Sequence, residues 1–301
     1  MKRLGSNYLR YLDPKVISKL KGLDIISRMV VEGFLIGLHR SPYHGFSVEF
    51  AEHREYKPGD ELKYVDWKVY GKTDRYYVKV FEEETNLKAY LIVDRSGSMG
   101  FSSNSISKLE YVKYLASAFS FLLLRQKDAV GLLLFSEALD SYIAPSSRKT
   151  HLNTLLKELD QLKPGGETSL STVLMELAEK IKRRGLIIVF SDLFDNYQEI
   201  VKSLKIFRYK KNEVLVFHTL DPAEIMFPFT GDMQLRDMET NEKITIDSRN
   251  IRKNYQEKMN KLIDSYRKDF RNASIDYQLL RTDTTYDKAL LSYLSKRKRM
   301  K

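Results

Sequence analysis

Three short apolar runs limit this chain's fold more than any other feature: Ala129–Phe135 (AVGLLLF), Leu186–Ser191 (LIIVFS) and residues 214–219 (VLVFHT). None alternates with polar residues, so each reads as a strand buried on both faces, which is the habit of parallel sheets. The segments between them carry helical spacing. Leu109, Val112, Leu115, Phe119 and Leu122 mark one helix over 108–124, and Leu152, Leu155, Leu156 and Leu159 mark a second. Leu170, Val173, Leu174, Leu177 and Ile181 mark a third, and residues 197–207 a fourth. Further strands are expected at 87–93 and 275–280, with a short edge strand at 141–144. Residues 233–246 read as a polar hairpin insertion around Glu239-Thr240-Asn241, within 228–247. A long helix at 251–270 and a last one from Asp287 complete the series. Strands alternating with helices predict an α/β fold with a mostly parallel, doubly wound sheet and right-handed crossovers.

The chain changes character near Asn86. Residues 1–86 predict a smaller α+β region, and 87–301 the α/β domain. In the first region Asp13 and Pro14 suit the N-cap and first position of a short helix that ends at Leu20-Lys21 before Gly22. A second helix is expected over 24–34, strands over 45–56 and 75–81, and a turn at Pro58-Gly59-Asp60.

Composition excludes several function classes. The chain has no cysteine, so disulfide scaffolds, thiolate metal sites and cysteine nucleophiles are out. Its 43% hydrophobic and 30% charged residues are those of a globular domain with a real core. The positive N-terminus lacks the apolar stretch of a secretory signal, and the greasiest segment, residues 114–124, is about half the ~20 residues that span a bilayer. The expectation is a cytoplasmic protein with no integral membrane segment. Net charge is +11. Much of the excess lies in residues 251–301, with 14 Lys/Arg against 6 Asp/Glu. A solvated helix end accounts for this more simply than a nucleic-acid contact, although the latter stands as an alternative.

In open parallel sheets ligands bind beyond the carboxyl ends of the strands. After the first strand of the α/β domain come Asp94-Arg95-Ser96-Gly97-Ser98-Met99. After strand 186–191 comes Asp192. Between them Gly165-Gly166-Glu167-Thr168-Ser169 turns into a helix. Singly, such residues are ordinarily helix caps. Together they offer two carboxylates and three hydroxyls, which suit a small hard cation such as magnesium, with manganese or calcium as alternatives. Few carboxylates leave such an ion under-neutralised, so it would seek an acidic group from a partner.

Asp94-x-Ser96-x-Ser98 with Thr168 and Asp192 resembles the metal-ion-dependent adhesion site of von Willebrand factor A domains. The resemblance implies that both serines and the threonine approach magnesium directly, and that the aspartates act directly or through water. Upstream, Gly37-Leu38-His39-Arg40-Ser41, Glu49-Phe50, Arg54-x-Tyr56-x-Pro58-Gly59-Asp60, Asp66-Trp67 and Phe81-Glu82-Glu83-Glu84 resemble the bacterial family classed as domain of unknown function fifty-eight. That resemblance implies a non-enzymatic, chaperone-like adaptor for a MoxR-type AAA+ ATPase and a client protein offering an acidic residue.

Competing chemistries are weaker. His39, His44 and His53 lack the spacing of a zinc hydrolase, and knitting Arg54, Asp60 and Asp66 into a polar network beside Trp67 suits that region better. A Ser–His–Asp arrangement would have to recruit His218 and Asp221. The chain has neither G-x-x-x-x-G-K-[ST] nor G-x-G-x-x-G, so neither ATP hydrolysis nor dinucleotide binding is expected. A metal-dependent hydrolase using the same ion is the remaining enzymatic alternative.

Overall fold

Successive residues of a strand point to opposite faces of its sheet, so a strand apolar at every position needs a cover on both sides. The computed structural model meets that demand. It describes Pro14 and residues 22–39, 53–56, 67–79, 87–103, 106–181, 184–239 and 242–300. The chain divides into two compact units, one formed by residues 1–37 and 86–301 and the other by residues 38–85. The sequence places a boundary near Asn86; the structure adds that residues 1–37 belong with the larger unit. Helix α1 (Leu23–His39) runs past the expected 24–34, and its Ile26, Val30 and Val31 are buried.

In the smaller unit, β1 (His53–Glu55) pairs antiparallel with β2 (Tyr77–Lys79) around helix α2 (Trp67–Thr73), which has no counterpart in the sequence reading. The Tyr70 and Tyr76 rings stack at 4.5 Å. The Pro58 turn, His44, Asp60 and Asp66, most of strand 45–56, and the first helix apart from Pro14, which is helical, lie outside the described residues.

The larger unit continues with β3 (Lys88–Asp94), α3 (Lys108–Arg125), β4 (Ala129–Phe135), β5 (Leu139–Ser146), α4 (His151–Gln161) and α5 (Leu170–Lys180). Next come β6 (Leu186–Ser191), α6 (Tyr197–Tyr209), β7 (Glu213–Leu220) and a short α7 (Pro222–Met226). The chain ends with β8 (Asp232–Arg236), β9 (Lys243–Asp247), α8 (Ser248–Asn272), β10 (Asp276–Arg281) and α9 (Asp287–Met300). Six strands form one sheet in the order β10-β7-β6-β3-β4-β5. All neighbours are parallel except β5, which returns antiparallel along β4. The edge strand is longer than the four residues expected. It alternates between half-buried and exposed positions, as an edge that meets water must.

Both faces are covered. Tyr90 and Ile92 of β3, Ile187 and Val189 of β6, and Val214 and Val216 of β7 pack with α5, α6 and Tyr266 and Phe270 of α8. On the intervening positions Phe190 and Phe217 stack at 5.2 Å and meet Phe119 of α3, which also sits edge-on to Tyr293 of α9. This is the doubly wound α/β arrangement with a mostly parallel sheet expected from the sequence. The hairpin is also present, as an antiparallel β8–β9 pair. Helix α7 is an addition with a readable cause: Asp221 caps it, Pro222 fills the first turn and Glu224 closes a capping box.

Phe119 is fully buried among three rings from two strands and one helix. Phe119→Ala should therefore cost about 3–5 kcal/mol, read as a lowered midpoint at unchanged slope in urea denaturation.

Candidate functional site

The chain fills the sheet outward from β3 through β4 to β5, then crosses back and fills the other side from β6 to β7 and β10. The order reverses between β3 and β6, and at such a point the loops leave in opposite directions and open a crevice. Val93 stands opposite Phe190, so Asp94 and Ser191 end adjacent strands side by side. The Ser191 hydroxyl donates to Asp94 Oδ2 at 2.6 Å, and the Ser96 amide donates to Asp94 Oδ1 at 2.9 Å.

That second bond starts a tight turn. Residues Gly97–Gly100 form a single 3-10 turn closed by the Met99 amide on the Ser96 carbonyl. The Ser96 hydroxyl does not cap the turn and instead lies 3.1 Å from the Ser98 hydroxyl. Ser98 also hydrogen-bonds Asp192, so Asp94, Ser96, Ser98 and Asp192 form one connected set. Thr168 stands on the adjoining loop. Gly97 donates to the Gly166 carbonyl and Gly165 to the Arg95 carbonyl, each at 2.9 Å, and Gly166 takes a left-handed φ of 80°. The Thr168 hydroxyl turns to Glu239 of the hairpin tip, at 2.8 Å from Oε1. The structure thus joins four of the five predicted residues directly and ties the loop of the fifth to them.

Gly97 is needed for the room its missing side chain leaves. It has no left-handed φ; a Cβ there would lie 2.4 Å from the Met238 carbonyl oxygen, so the hairpin backbone demands its absence.

Sequence reasoning missed Lys108, the first residue of α3. Its ammonium, fully buried, bonds Asp192 Oδ2 at 2.7 Å and Glu224 Oε1 at 2.6 Å, and lies 5.2 Å from the centre of the Phe194 ring. A lysine at a helix N-terminus opposes the helix dipole, and that was the available signal. Glu224 was missed as well. Its other oxygen accepts from the Asp221 amide, and Asp221 in turn accepts from Ser103 and Ala223.

The electrostatics follow from this arrangement. Burial alone would lower Lys108, but the Asp192 and Glu224 charges outweigh it and hold the ammonium above its usual value. Burial works against ionised Asp192 too, yet Lys108 keeps it below the ordinary carboxylate range. Asp94 has no such cation. Burial and the Asp192 charge push it up to about 7, against hydrogen bonds from Ser191 and Ser96. Lys108 thus pairs Asp192 and Glu224 and leaves Asp94 without a cation, and a divalent ion would supply positive charge there. The donor set is hard oxygen throughout, and it fits such an ion. Among the described residues no three of His, Cys, Asp and Glu gather as a metal cluster.

The nucleophile alternative does not form. His218 is buried, with Nδ1 2.7 Å from the Tyr277 hydroxyl, while Asp221 serves Ser103 and the α7 cap.

A family model described as "Protein of unknown function DUF58" matches residues 52–262. The chain belongs to the DUF58 family. This DUF58 protein is 27% identical over 233 residues to uncharacterized proteins of Mycobacterium bovis and Mycobacterium tuberculosis, over 76% of this chain and 72% of theirs. It is similar to the conserved hypothetical protein BatB from Bacteroides thetaiotaomicron, with TM-score 0.48 and 17% identity over 71% of this chain and all of the other. A pilus adhesin, SpaC from Lactobacillus rhamnosus GG, has TM-score 0.44 at 14% identity, over 70% of this chain and 30% of its own. No helix among the described residues is long and apolar enough to cross a membrane.

Two outcomes test this description. Lys108→Met would leave two buried carboxylates unpaired, and should cost about 3–5 kcal/mol in chemical denaturation. Burial lowers His218 to about 4, so between that value and the unfolded value of about 6.5 only the unfolded chain binds the proton. The share of stability that His218 contributes above that unfolded value should be lost as pH drops toward 4, up to about 3 kcal/mol, while the raised Asp94 works in the opposite direction over the same range. Wild type should therefore lose stability relative to His218→Phe in urea titrations run from pH 7 to pH 4.

Proposed function

We propose that this DUF58 protein is a non-enzymatic, metal-dependent protein-binding adaptor whose site is Asp94, Ser96, Ser98, Thr168 and Asp192. The observation that carries the reading is the hydrogen-bonded union of Asp94, Ser96, Ser98 and Asp192 at the reversal of strand order, with Asp94 lacking a counter-charge. Magnesium fits this donor set best, with manganese and calcium as alternatives, and a bound ion would supply a position that a carboxylate can occupy. The residues' own tasks are distinct. Ser96 and Ser98 present hydroxyls from a turn fixed by Asp94. Asp192 is oriented by Lys108 and the Phe194 amide, and Thr168 stands on the adjoining glycine turn with its hydroxyl bonded to Glu239. The acid and base groups are committed to one another, Asp192 and Glu224 to Lys108 and Asp94 to Ser96 and Ser191, which favours recognition over turnover.

The partner is a protein that offers an acidic side chain. The motifs shared with the family point to a client protein and a MoxR-type AAA+ ATPase as the assembly in which the adaptor works, in the cytoplasm. Isothermal titration with MgCl2 should show one site in the wild type. Affinity should be at least about tenfold weaker in a Ser96→Ala/Ser98→Ala variant, which removes donors without leaving a buried charge unpaired. Capture of a purified MoxR-type ATPase should require Mg2+ and fail with chelator; equal capture in both conditions would sink the metal bridge.

A further inference from the structure

We infer that Glu239 is this chain's own occupant of the position an incoming carboxylate must take, so that a partner engages the site by displacing the β8–β9 hairpin tip. The inference rests on the reading of the site given above.

Glu239 lies 71 positions from Thr168 in sequence, yet its two carboxylate oxygens divide the donors of that one residue. Oε1 takes the Thr168 hydroxyl at 2.8 Å and Oε2 the Thr168 amide at 3.0 Å. A second observation is independent of that pair. The Met238 carbonyl comes so near Gly97 that any side chain there would collide with it. The hairpin tip is thus seated on both loops of the site, the Asp94–Ser98 loop through Gly97 and the glycine turn through Thr168. Asp237 Oδ1 accepts the Glu239 amide at 2.7 Å and stiffens the approach.

Charge makes this more than packing. Glu239 brings a carboxylate to Thr168, one of the five residues assigned to the site, and a buried or half-buried carboxylate needs donors or a cation beside it. Thr168 supplies two donors, and the ion proposed for the site would supply the cation. A carboxylate presented to that place from within the chain is chemically the group that an acidic partner would present from outside, so the two compete. Displacement is inexpensive. The hairpin is a two-stranded pair with mostly exposed or half-buried side chains, and such pairs are marginal alone.

The competition sets the result to expect. A partner's apparent affinity is reduced by the fraction of molecules in which the position is already filled. With saturating MgCl2 and a fluorescein-labelled hexaglutamate peptide followed by anisotropy, Glu239→Gln should bind about tenfold more tightly than the wild type, the weight of one charge-assisted hydrogen bond. Glu242→Gln, on the same hairpin with the same change of net charge, should leave the affinity unchanged. Equal affinities of wild type and Glu239→Gln, or an equal gain from Glu242→Gln, would overturn the inference. Titration of the same proteins with MgCl2 alone separates the two readings. Magnesium binding with a peptide affinity indifferent to Glu239 defeats only the internal occupant, whereas a wild type that takes up no magnesium defeats the site itself.

Discussion

One buried ammonium orders the carboxyl end of this sheet. Lys108 starts the helix after the first strand of the α/β unit and meets Asp192, which follows the fourth, and Glu224, which belongs to the turn after the fifth. A charge stripped of water is tolerable only with partners in near-ideal geometry, and here two oxygens lie within 2.7 Å. The same bonds that make burial tolerable hold three separate stretches of chain in register. Remove the lysine, and two carboxylates remain where water cannot solvate them.

From this contact the site's electrostatic asymmetry follows. Asp192 is tied to a cation and stays ionised, while its neighbour Asp94 has only hydroxyl and amide donors. Two acids a strand apart are thus pushed to different affinities for protons, by burial and by the placing of a single charge. The hydroxyls of Ser96 and Ser98 add oxygens without adding charge, so the site keeps a need for positive charge that its own side chains leave unmet.

Most of the architecture was legible because strand burial leaves a direct trace. Ala129–Phe135 and Leu186–Ser191 are apolar at nearly every position, and the structure matches their ends to the residue. The meeting of the Asp94–Ser98 loop with Asp192 was legible because both follow strands that such a topology places together. Lys108 was hidden because its partners lie 84 and 116 positions away, and no local pattern announces a lysine turned inward. Glu239 was read only as part of a turn, since a hairpin's sequence says where it bends and nothing of what its tip touches. Gly97 matters for the room it leaves to Met238, a contact distant in sequence that no local pattern announces. Helix α7 could have been read from Asp221-Pro222-Ala223-Glu224, which holds both a cap and its reciprocal acid.

The larger unit is discontinuous along the chain. Residues 1–37 belong to it, residues 38–85 fold as a separate unit, and the chain rejoins it at Asn86. The smaller unit is therefore an insertion, held at both ends by covalent links into one body rather than appended at one terminus. A fragment cut to start at Asn86 would look complete by its strand pattern and yet lack the buried Ile26, Val30 and Val31 of the opening helix.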